Sequence, residues 1–230
     1  MKRTLWKLIV LLLVIGGFVG VFNQTLEHLF IRYTQPTIKI AKNATVGSYD
    51  WRDLKSLNIA DVLAARLNNP KHTYAGLISI PDIGVNLPIS LGISNESLSI
   101  GAGTLTKNQV MGTGNYSLAS HFVQGSGNKD LLFSPIYYRG KVGQLIYLTD
   151  LKKVYVYKTY SVRVVPPNGI SVTDVLANKK IVTLITCDYT AESGRVVMQG
   201  ELSKVISWHA TPDKIKNSFM QRFKLLNLAR

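Results

Sequence analysis

The hydrophobic residues of this chain follow three patterns in succession. Fifteen apolar residues run without interruption from Leu8 to Phe22. From Tyr74, short runs rich in β-branched and aromatic residues alternate with glycine, proline and asparagine, as in short strands joined by turns. From Thr211, apolar residues recur at the spacing of one helix face. We therefore predict an N-terminal helix, a mainly β domain and a helical C-terminal tail.

The N-terminal run is long enough to span a membrane once its flank is included. With Thr4 to Lys7 the segment reaches nineteen residues, close to the ~20 that a helix needs to cross a bilayer. Lys2, Arg3 and Lys7 make this flank positive, which places the N-terminus in the cytoplasm and the rest of the chain outside. A cleaved signal peptide is the alternative, but no small-residue cleavage site follows Phe22. The pattern favours an uncleaved, single-pass signal anchor.

The segment after the anchor is predicted as an extracellular stalk with short helices. One helix is expected over Asn58–Leu67, because Asn58 can cap it, Asp61 lies in its first turn and Pro70 follows its end. Six later runs are predicted as strands, and strands this short and numerous form either a closed barrel or a sandwich. These runs are residues 75–80, 85–90, 144–148, 154–165, 181–186 and 196–202.

The tail from Thr211 to Arg230 has the signature of an amphipathic helix. Pro212 suits the first helical position and Asp213 the first turn. The residues at helical spacing, Ile215, Phe219, Phe223 and Leu226, form an apolar stripe beside basic positions. The stripe either packs on the β domain, which is the commoner use of such a face, or lies on an anionic membrane surface.

Composition narrows the class of protein. Of the 230 residues, 46% are hydrophobic and 17% charged, so intrinsic disorder is excluded. A formal charge of +14 predicts an anionic neighbour, such as anionic lipid or wall polymer. No nucleic-acid-binding motif of a recognised spacing occurs, and we expect no nucleic-acid partner. Cys187 is the one cysteine, which excludes an intrachain disulfide and any multi-cysteine metal site.

The cysteine stands at the end of a predicted strand. A polar loop of seven residues separates it from Arg195, which begins the next strand. If the two strands form an antiparallel hairpin, Cys187 and Arg195 face each other with Cβ atoms ~5 Å apart. An arginine there would lower the thiol pKa or bind a developing oxyanion.

A base for this thiol is sought among four histidines. His28, His72 and His209 lie in or beside predicted linkers and are expected to be solvated. His121 ends a strand-like run, Asn115–Ser120, and is the plausible acid–base partner of the thiol. The alternative, that Cys187 is an inert core residue, is the commoner state of a lone cysteine in an apolar strand.

Several segments together resemble one family. Thr183–Cys187 reads TLITC, similar to the T-L-x-T-C signature of sortases, the membrane-anchored cysteine transpeptidases of Gram-positive bacteria. Arg195 follows the cysteine by eight residues, and Leu118–His121 resembles the segment that carries the family's histidine. Residues 75–81 and 87–89 resemble the first two strands. The similarity covers residues 74–202, and an N-terminal anchor without a second membrane helix is typical of class A.

The resemblance implies a closed eight-stranded β-barrel and a division of the chain. The expected parts are a cytoplasmic stub and anchor over residues 1–22, a stalk over 23–73, the catalytic barrel over 74–203 and a basic tail over 204–230. The resemblance also implies that the enzyme cleaves Leu-Pro-x-Thr-Gly sorting signals of secreted proteins between Thr and Gly. The acceptor would be an amine of lipid II or peptidoglycan.

The same resemblance assigns roles to residues. Cys187 would be the nucleophile that forms a thioacyl enzyme, His121 the general acid and base, and Arg195 the residue that stabilises the oxyanion or the substrate. Contacts with the sorting peptide are expected from three further residues: Thr186, Val165 and Ile185.

Two alternatives and one expected absence complete the sequence prediction. A specialised or pilin-type sortase with another sorting signal is the first alternative, and an inert, membrane-tethered β-domain that binds wall polymer is the second. No cofactor is expected. Some class A enzymes bind calcium in two loops, but the corresponding stretches here contain only Glu96 and Asp174, too few oxygen ligands for calcium.

Overall fold

The computed structural model describes residues 2–33, 37–50, 57, 65, 72–123, 128–187, 194–221 and 223–225. Helix α1 covers Lys2–Tyr33. Within it, Arg3–Phe22 has a mean hydropathy of 2.5 and no buried residue. Length and composition make this segment suitable for a membrane span. Nearly all of the helix predicted over residues 58–67 lies outside the described residues.

Eight strands close into a barrel, so the barrel rather than the sandwich is confirmed. A closed barrel leaves no unpaired edge, which suits strands this short. All six predicted runs are strands. In chain order the barrel strands are β3 (Gly76–Ile80), β4 (Val85–Ser90), β5 (Ala102–Thr104), β6 (Asn115–Ala119), β7 (Leu145–Thr149), β8 (Lys153–Val165), β9 (Ile181–Cys187) and β10 (Arg195–Ser207). Their spatial order is β10-β8-β7-β3-β4-β5-β6-β9, with β9 pairing again with β10.

Strand alternation separates two apolar clusters. Val182 and Leu184 of β9 belong to the barrel interior, together with Leu118 of β6 and Met198 of β10. The intervening residues of the same strands face outward. The outward residues and their cover form what we call the outer-face cluster: Ile93, Leu98, Leu105, Ala119, Ile185 and Val197, with Val165 and Val172 packed against it.

The directions of the strands bring several strand ends to one place. β6 and β9 are parallel, whereas β10 is antiparallel to both β9 and β8. The last residues of β6, β8 and β9 and the first residue of β10 therefore meet at one end of the barrel. Parallel neighbours need a crossover, and between β4 and β5 helix α2 (Asn95–Ile100) supplies it. Helix α3 (Ser134–Arg139) follows β6.

The C-terminal tail differs from its prediction. Helix α4 covers only Asp213–Ser218, and Lys224–Leu225 forms β11 instead of continuing the helix. The carbonyl of Ser218 accepts hydrogen bonds from Asn86 Nδ2 at 2.8 Å and Ser79 Oγ at 3.2 Å, both on the barrel. These bonds hold the end of the helix against the barrel, and the chain leaves the helix there.

The apolar stripe of the tail packs on the barrel, as the first of its two interpretations predicted. Phe219 is 0% exposed and Phe223 5% exposed. They share a cluster with Ile38 and Tyr74, which lie in β1 (Thr37–Ile40) and β2 (Thr73–Tyr74). β1 pairs in parallel with both β2 and β11. The residues after 225 are outside the described part of the chain.

Candidate active site

Backbone register brings His121 and Cys187 level with each other. β6 and β9 are paired from Asn115 opposite Ile181 to Ala119 opposite Ile185. The ladder continues one residue further, where Ser120 N donates to Ile185 O at 3.2 Å. Residue 121 follows Ala119 by two, as residue 187 follows Ile185. His121 therefore leaves β6 at the level where β9 ends in Cys187.

The neighbouring hairpin adds Arg195 at the same level. β9 and β10 pair with Arg195 opposite Cys187, which is the register that the sequence predicted. On its other side, Arg195 is opposite Val165 of β8. His121, Cys187 and Arg195 thus lie on three adjacent chain segments at one level of the barrel. We call these three residues the site row.

His121 is held by its backbone and surrounded by protein. Its carbonyl accepts a hydrogen bond from Phe133 N at 3.2 Å, next to the start of α3. The residue as a whole is partly exposed, but its Nε2 atom is buried and has no hydrogen-bond partner among the described residues. Burial lowers the pKa of His121 from 6.5 to about 4. The imidazole is therefore neutral at neutral pH.

Arg195 supplies the positive charge of the site row. Its side chain is partly buried, and Nη1 donates to the Gly194 carbonyl at 2.9 Å. This contact fixes one arm of the guanidinium next to its own strand. A guanidinium carries five N–H donors in a planar fork, which suits it to binding oxygen atoms.

The three predicted substrate contacts differ in accessibility. Thr186 is 2% exposed, and its Oγ1 is buried without a hydrogen-bond partner in the described part of the chain. Ile185 is 6% exposed and belongs to the outer-face cluster. Val165 is partly exposed beside Arg195. Of the three, Val165 offers the most surface to a peptide.

The other histidines lie elsewhere. His72 precedes β2, with its ring centroid 5.3 Å from that of Tyr74, and burial lowers its pKa although Glu96 opposes the shift. His209 follows β10 at the opposite end of the barrel. The His28 side chain is outside the described residues. Among the histidines whose side chains the structure describes, His121 is the one brought to the level of Cys187.

Comparison with known proteins identifies the family. A sortase-domain family model matches residues 78–203. Sortase A of Streptococcus agalactiae is 35% identical over 235 residues, which cover 97% of this chain and 94% of that protein. The chain belongs to the sortase family. Sortase A of Listeria monocytogenes is 31% identical over 86% of this chain and 91% of its own length. The protein is therefore a cysteine transpeptidase.

Solved sortase structures share the fold. The Listeria monocytogenes sortase A structure superposes with a TM-score of 0.57 at 36% identity, covering 64% of this chain and 97% of its own. Sortase E1 of Streptomyces coelicolor gives a TM-score of 0.51 at 26% identity, covering 62% and 96%.

A cavity of about 920 Å³ lies away from the site row. It is found at the other end of the sortase barrel, between the β7–β8 turn and the loop before β6, and Tyr116, Asp150 and Trp208 are among the residues that line it. Among the described residues, no three His, Cys, Asp or Glu side chains cluster as metal ligands.

Sequence reasoning missed the segment that covers the outer face of β9. A 3₁₀ turn at Ile170–Thr173, between β8 and β9, packs Val172 against the outer-face cluster. The sequence contains no local signal for this placement, because the contacts that produce it come from three different strands.

Proposed function

We propose that this sortase cleaves Leu-Pro-x-Thr-Gly sorting signals between Thr and Gly and transfers the acyl chain to an amine of lipid II or peptidoglycan. The observation that carries this proposal is the site row: His121, Cys187 and Arg195 share one backbone level on adjacent segments. A nucleophile, a base and a cation in one place are the groups that acyl transfer through a thioester requires.

Cys187 is the nucleophile in this proposal, since a cysteine transpeptidase needs a thiol and the chain contains one cysteine. The sulfur attacks the carbonyl carbon of the substrate Thr, and the carbonyl electrons move to its oxygen. When the carbonyl re-forms, the bond to the Gly nitrogen breaks. The products of this half-reaction are a thioacyl enzyme and a free Gly-terminated peptide.

His121 carries the proton through both halves. Its neutral imidazole accepts the thiol proton as sulfur attacks, and the imidazolium then donates that proton to the departing Gly nitrogen. In the second half, the imidazole removes a proton from the incoming amine as it attacks the thioester. That proton returns to the Cys187 sulfur. A buried base with a pKa of about 4 favours this order, because it begins neutral.

Arg195 stabilises negative charge in the same scheme. The tetrahedral intermediate carries an oxyanion next to the sulfur, and a guanidinium on the facing strand can donate to it. The same donors can bind a peptide carbonyl of the sorting signal. Either contact acts at the level of Cys187, where the backbone register places Arg195.

The outer-face cluster supports an apolar contact for the Leu-Pro part of the signal. Val165 is partly exposed beside Arg195, and Ile185 and Val172 continue this apolar surface under it. Thr186 is paired with Val196 and lies with it on the interior face of the barrel, so its buried hydroxyl is on the opposite face of β9 from Cys187. We propose that Val165, Val172 and Ile185 receive the peptide as it approaches Cys187.

Location follows from the N-terminal helix. We propose that Arg3–Phe22 crosses the membrane once, with the positive flank in the cytoplasm and the barrel outside. The formal charge of +14 suits an anionic membrane surface, where secreted substrates and lipid-linked acceptors are found. We also propose that the reaction needs no calcium or other cofactor.

The test uses the full-length protein in detergent micelles. It is mixed with a set of Leu-Pro-x-Thr-Gly peptides in which position x is varied over all residues, with and without triglycine as the acceptor amine. The peptide products are identified by mass. We expect cleavage between Thr and Gly and, with triglycine, a new Thr–Gly amide. Cys187→Ala should form neither product, whereas Thr149→Val, a change at the other end of the barrel, should form both.

Two results would contradict the proposal in different ways. Cleavage at another bond, or none by the wild type, would overturn the proposed sorting signal. Product formation by Cys187→Ala would overturn the assignment of the nucleophile, because that variant has no thiol.

A further inference from the structure

Three buried polar side chains stand on the outer face of the strands that lead to the site row. Asn115 begins β6 and is 3% exposed, Thr183 lies in β9 at 0%, and Gln199 lies in β10 at 5%. Thr183 and Gln199 are direct cross-strand partners. We call these three residues the amide–threonine cluster. Each lies on a strand whose end carries or precedes one residue of the site row.

Hydrogen bonds join the cluster into a connected network. The Thr183 hydroxyl donates to Asn115 Oδ1 at 2.7 Å and accepts from Gln199 Nε2 at 3.1 Å. Gln199 Oε1 in turn accepts from Arg163 Nη1 at 2.8 Å. The oxygen of each amide thus accepts a hydrogen bond from a neighbouring strand of the barrel, which fixes the orientation of both amides.

The remaining amide hydrogens point at one loop. Asn115 Nδ2 donates to the carbonyls of Val172 at 2.9 Å and Asp174 at 3.0 Å. Gln199 Nε2 donates to the same Val172 carbonyl at 3.2 Å. Two strands that are not neighbours thus bind one backbone oxygen of the β8–β9 loop. A buried network with every donor used is rigid and costly to break.

Val172 connects this network to the apolar surface beside the site row. Its carbonyl is held by the amides, and its side chain packs with Val165 against the outer-face cluster. Thr183 is four residues before Cys187, and Gln199 is four residues after Arg195. At ~3.3 Å per residue, the network lies ~13 Å from the site row along the strands. It is too distant to touch the reacting atoms.

We propose that Asn115, Thr183 and Gln199 are positioning residues that set the β8–β9 loop, so that Val172 and Val165 form one wall of the sorting-peptide groove. They act on peptide binding through the loop and leave the chemistry of Cys187 unchanged. This inference rests on the proposed function. It also gives the first threonine of the TLITC segment a role that is separate from catalysis.

The matched pair of variants is Thr183→Val and Thr149→Val. Both threonines are 0% exposed, and both hydroxyls donate to an oxygen atom, Asn115 Oδ1 at 2.7 Å and Lys153 O at 2.7 Å. The Thr149 bond lies in the β7–β8 turn and does not involve the β8–β9 loop. Valine keeps the shape and removes the hydroxyl in each case. Thr183→Ser restores the hydroxyl and serves as the rescue variant.

Two measurements are made on the full-length protein in micelles. The first is hydrogen–deuterium exchange of peptides that cover residues 166–176, which requires no substrate. The second is the separate determination of kcat and KM with the sorting peptide. For Thr183→Val we expect exchange of the loop to accelerate about tenfold and KM to rise about fivefold, the scale of one lost buried hydrogen bond, with kcat within about twofold of wild type. Thr149→Val and Thr183→Ser should match wild type in both measurements.

Loop exchange that is unchanged in Thr183→Val would overturn the inference, whatever the activity. A fall in kcat at constant KM would also overturn it, because the network would then act on the site row and not on the loop. If the wild type does not cleave the peptide, the proposed function fails. In that case, loop exchange still decides whether the cluster holds the loop.

Discussion

Buried polar groups are hydrogen-bonded differently in two regions of the molecule, the β7–β8 turn and the site row. In the turn, the Thr149 hydroxyl donates to Lys153 O at 2.7 Å and accepts from Leu151 N at 2.9 Å. Of the five buried side-chain polar atoms without a partner in the described residues, two are His121 Nε2 and Thr186 Oγ1, at the site row or next to it. One region is internally satisfied, and the other keeps polar atoms unpaired.

This difference separates a structural use of buried polar groups from a functional one. A buried polar atom without a partner costs roughly 1–3 kcal/mol, so folding alone gives no reason to keep one. Departures from local consistency are expected at functional sites. The turn therefore contributes to stability, and the site row keeps the His121 nitrogen for a proton.

The largest expected effect is that of His121→Gln. Glutamine keeps a polar side chain but cannot shuttle a proton, so kcat should fall by about 10²–10⁴. The matched control is His72→Gln, which changes the other histidine whose pKa is lowered by burial and should leave kcat within about twofold. Steady-state kinetics of peptide cleavage measure both. Equal losses in the two variants would contradict the role of His121.

Arg195→Ala comes next. Removing a donor aimed at a developing oxyanion should lower kcat/KM by about 10²–10³. Arg195→Lys keeps the charge without the planar fork and should recover only part of the activity. Lys179→Ala removes an exposed cation, paired with Glu201 at 2.9 Å, and should have little effect. A wild-type kcat/KM in Arg195→Ala would contradict the assignment of Arg195 as the residue that stabilises the oxyanion.

The dependence of stability on pH should report the burial of His121. Folding lowers its pKa from 6.5 to about 4, so between these values the unfolded chain binds more protons than the folded protein. Stability should therefore fall as the pH falls from 6.5 towards 4, by at most roughly 1.4 kcal/mol per pH unit from this group. Urea unfolding of wild type and His121→Gln over this range measures the effect. The variant should lack that part of the slope, and an identical slope would contradict the burial of the ring.

The smallest effects come from a pair of Thr→Val changes. Thr149→Val leaves two backbone groups of the turn unpaired and should lower the free energy of unfolding by about 1–3 kcal/mol without changing kcat/KM. Thr186→Val removes a buried hydroxyl that has no partner among the described residues, so it should cost no stability. Its kcat/KM should stay within about twofold of wild type, because Thr186 lies with Val196 on the interior face of the barrel. Denaturant midpoints and kinetics on both variants measure these effects. A loss of stability in Thr186→Val but not in Thr149→Val would contradict the contrast between the turn and the site row.

Features that depend on local sequence patterns were predicted most accurately. All six strand runs were correct, because alternation and turn residues act within a few positions. The pairing of Arg195 with Cys187 followed from a single hairpin of known loop length. The strand-end position of His121 suggested it as the partner of Cys187, but its level could not be derived, because the parallel β6–β9 pairing joins segments more than sixty residues apart.

Where prediction failed, long-range contacts decided the outcome. The tail carries a helical pattern throughout, but the bonds from Asn86 and Ser79 to Ser218, together with pairing to β1, limit the helix to Asp213–Ser218. The amide–threonine cluster could likewise not be predicted from the sequence, since Asn115, Thr183 and Gln199 become neighbours only when three strands are aligned. Such polar networks leave no periodic signal in the chain.

The most direct test of the site row is the intact mass of the protein within seconds of mixing with the sorting peptide. We expect a single adduct, equal in mass to the peptide acylated through its Thr residue. The adduct should be mapped to Cys187, be lost on addition of triglycine, and accumulate far more slowly in His121→Gln. An adduct on any other residue, or peptide cleavage that proceeds with no adduct at all, would contradict a thioacyl mechanism at this site.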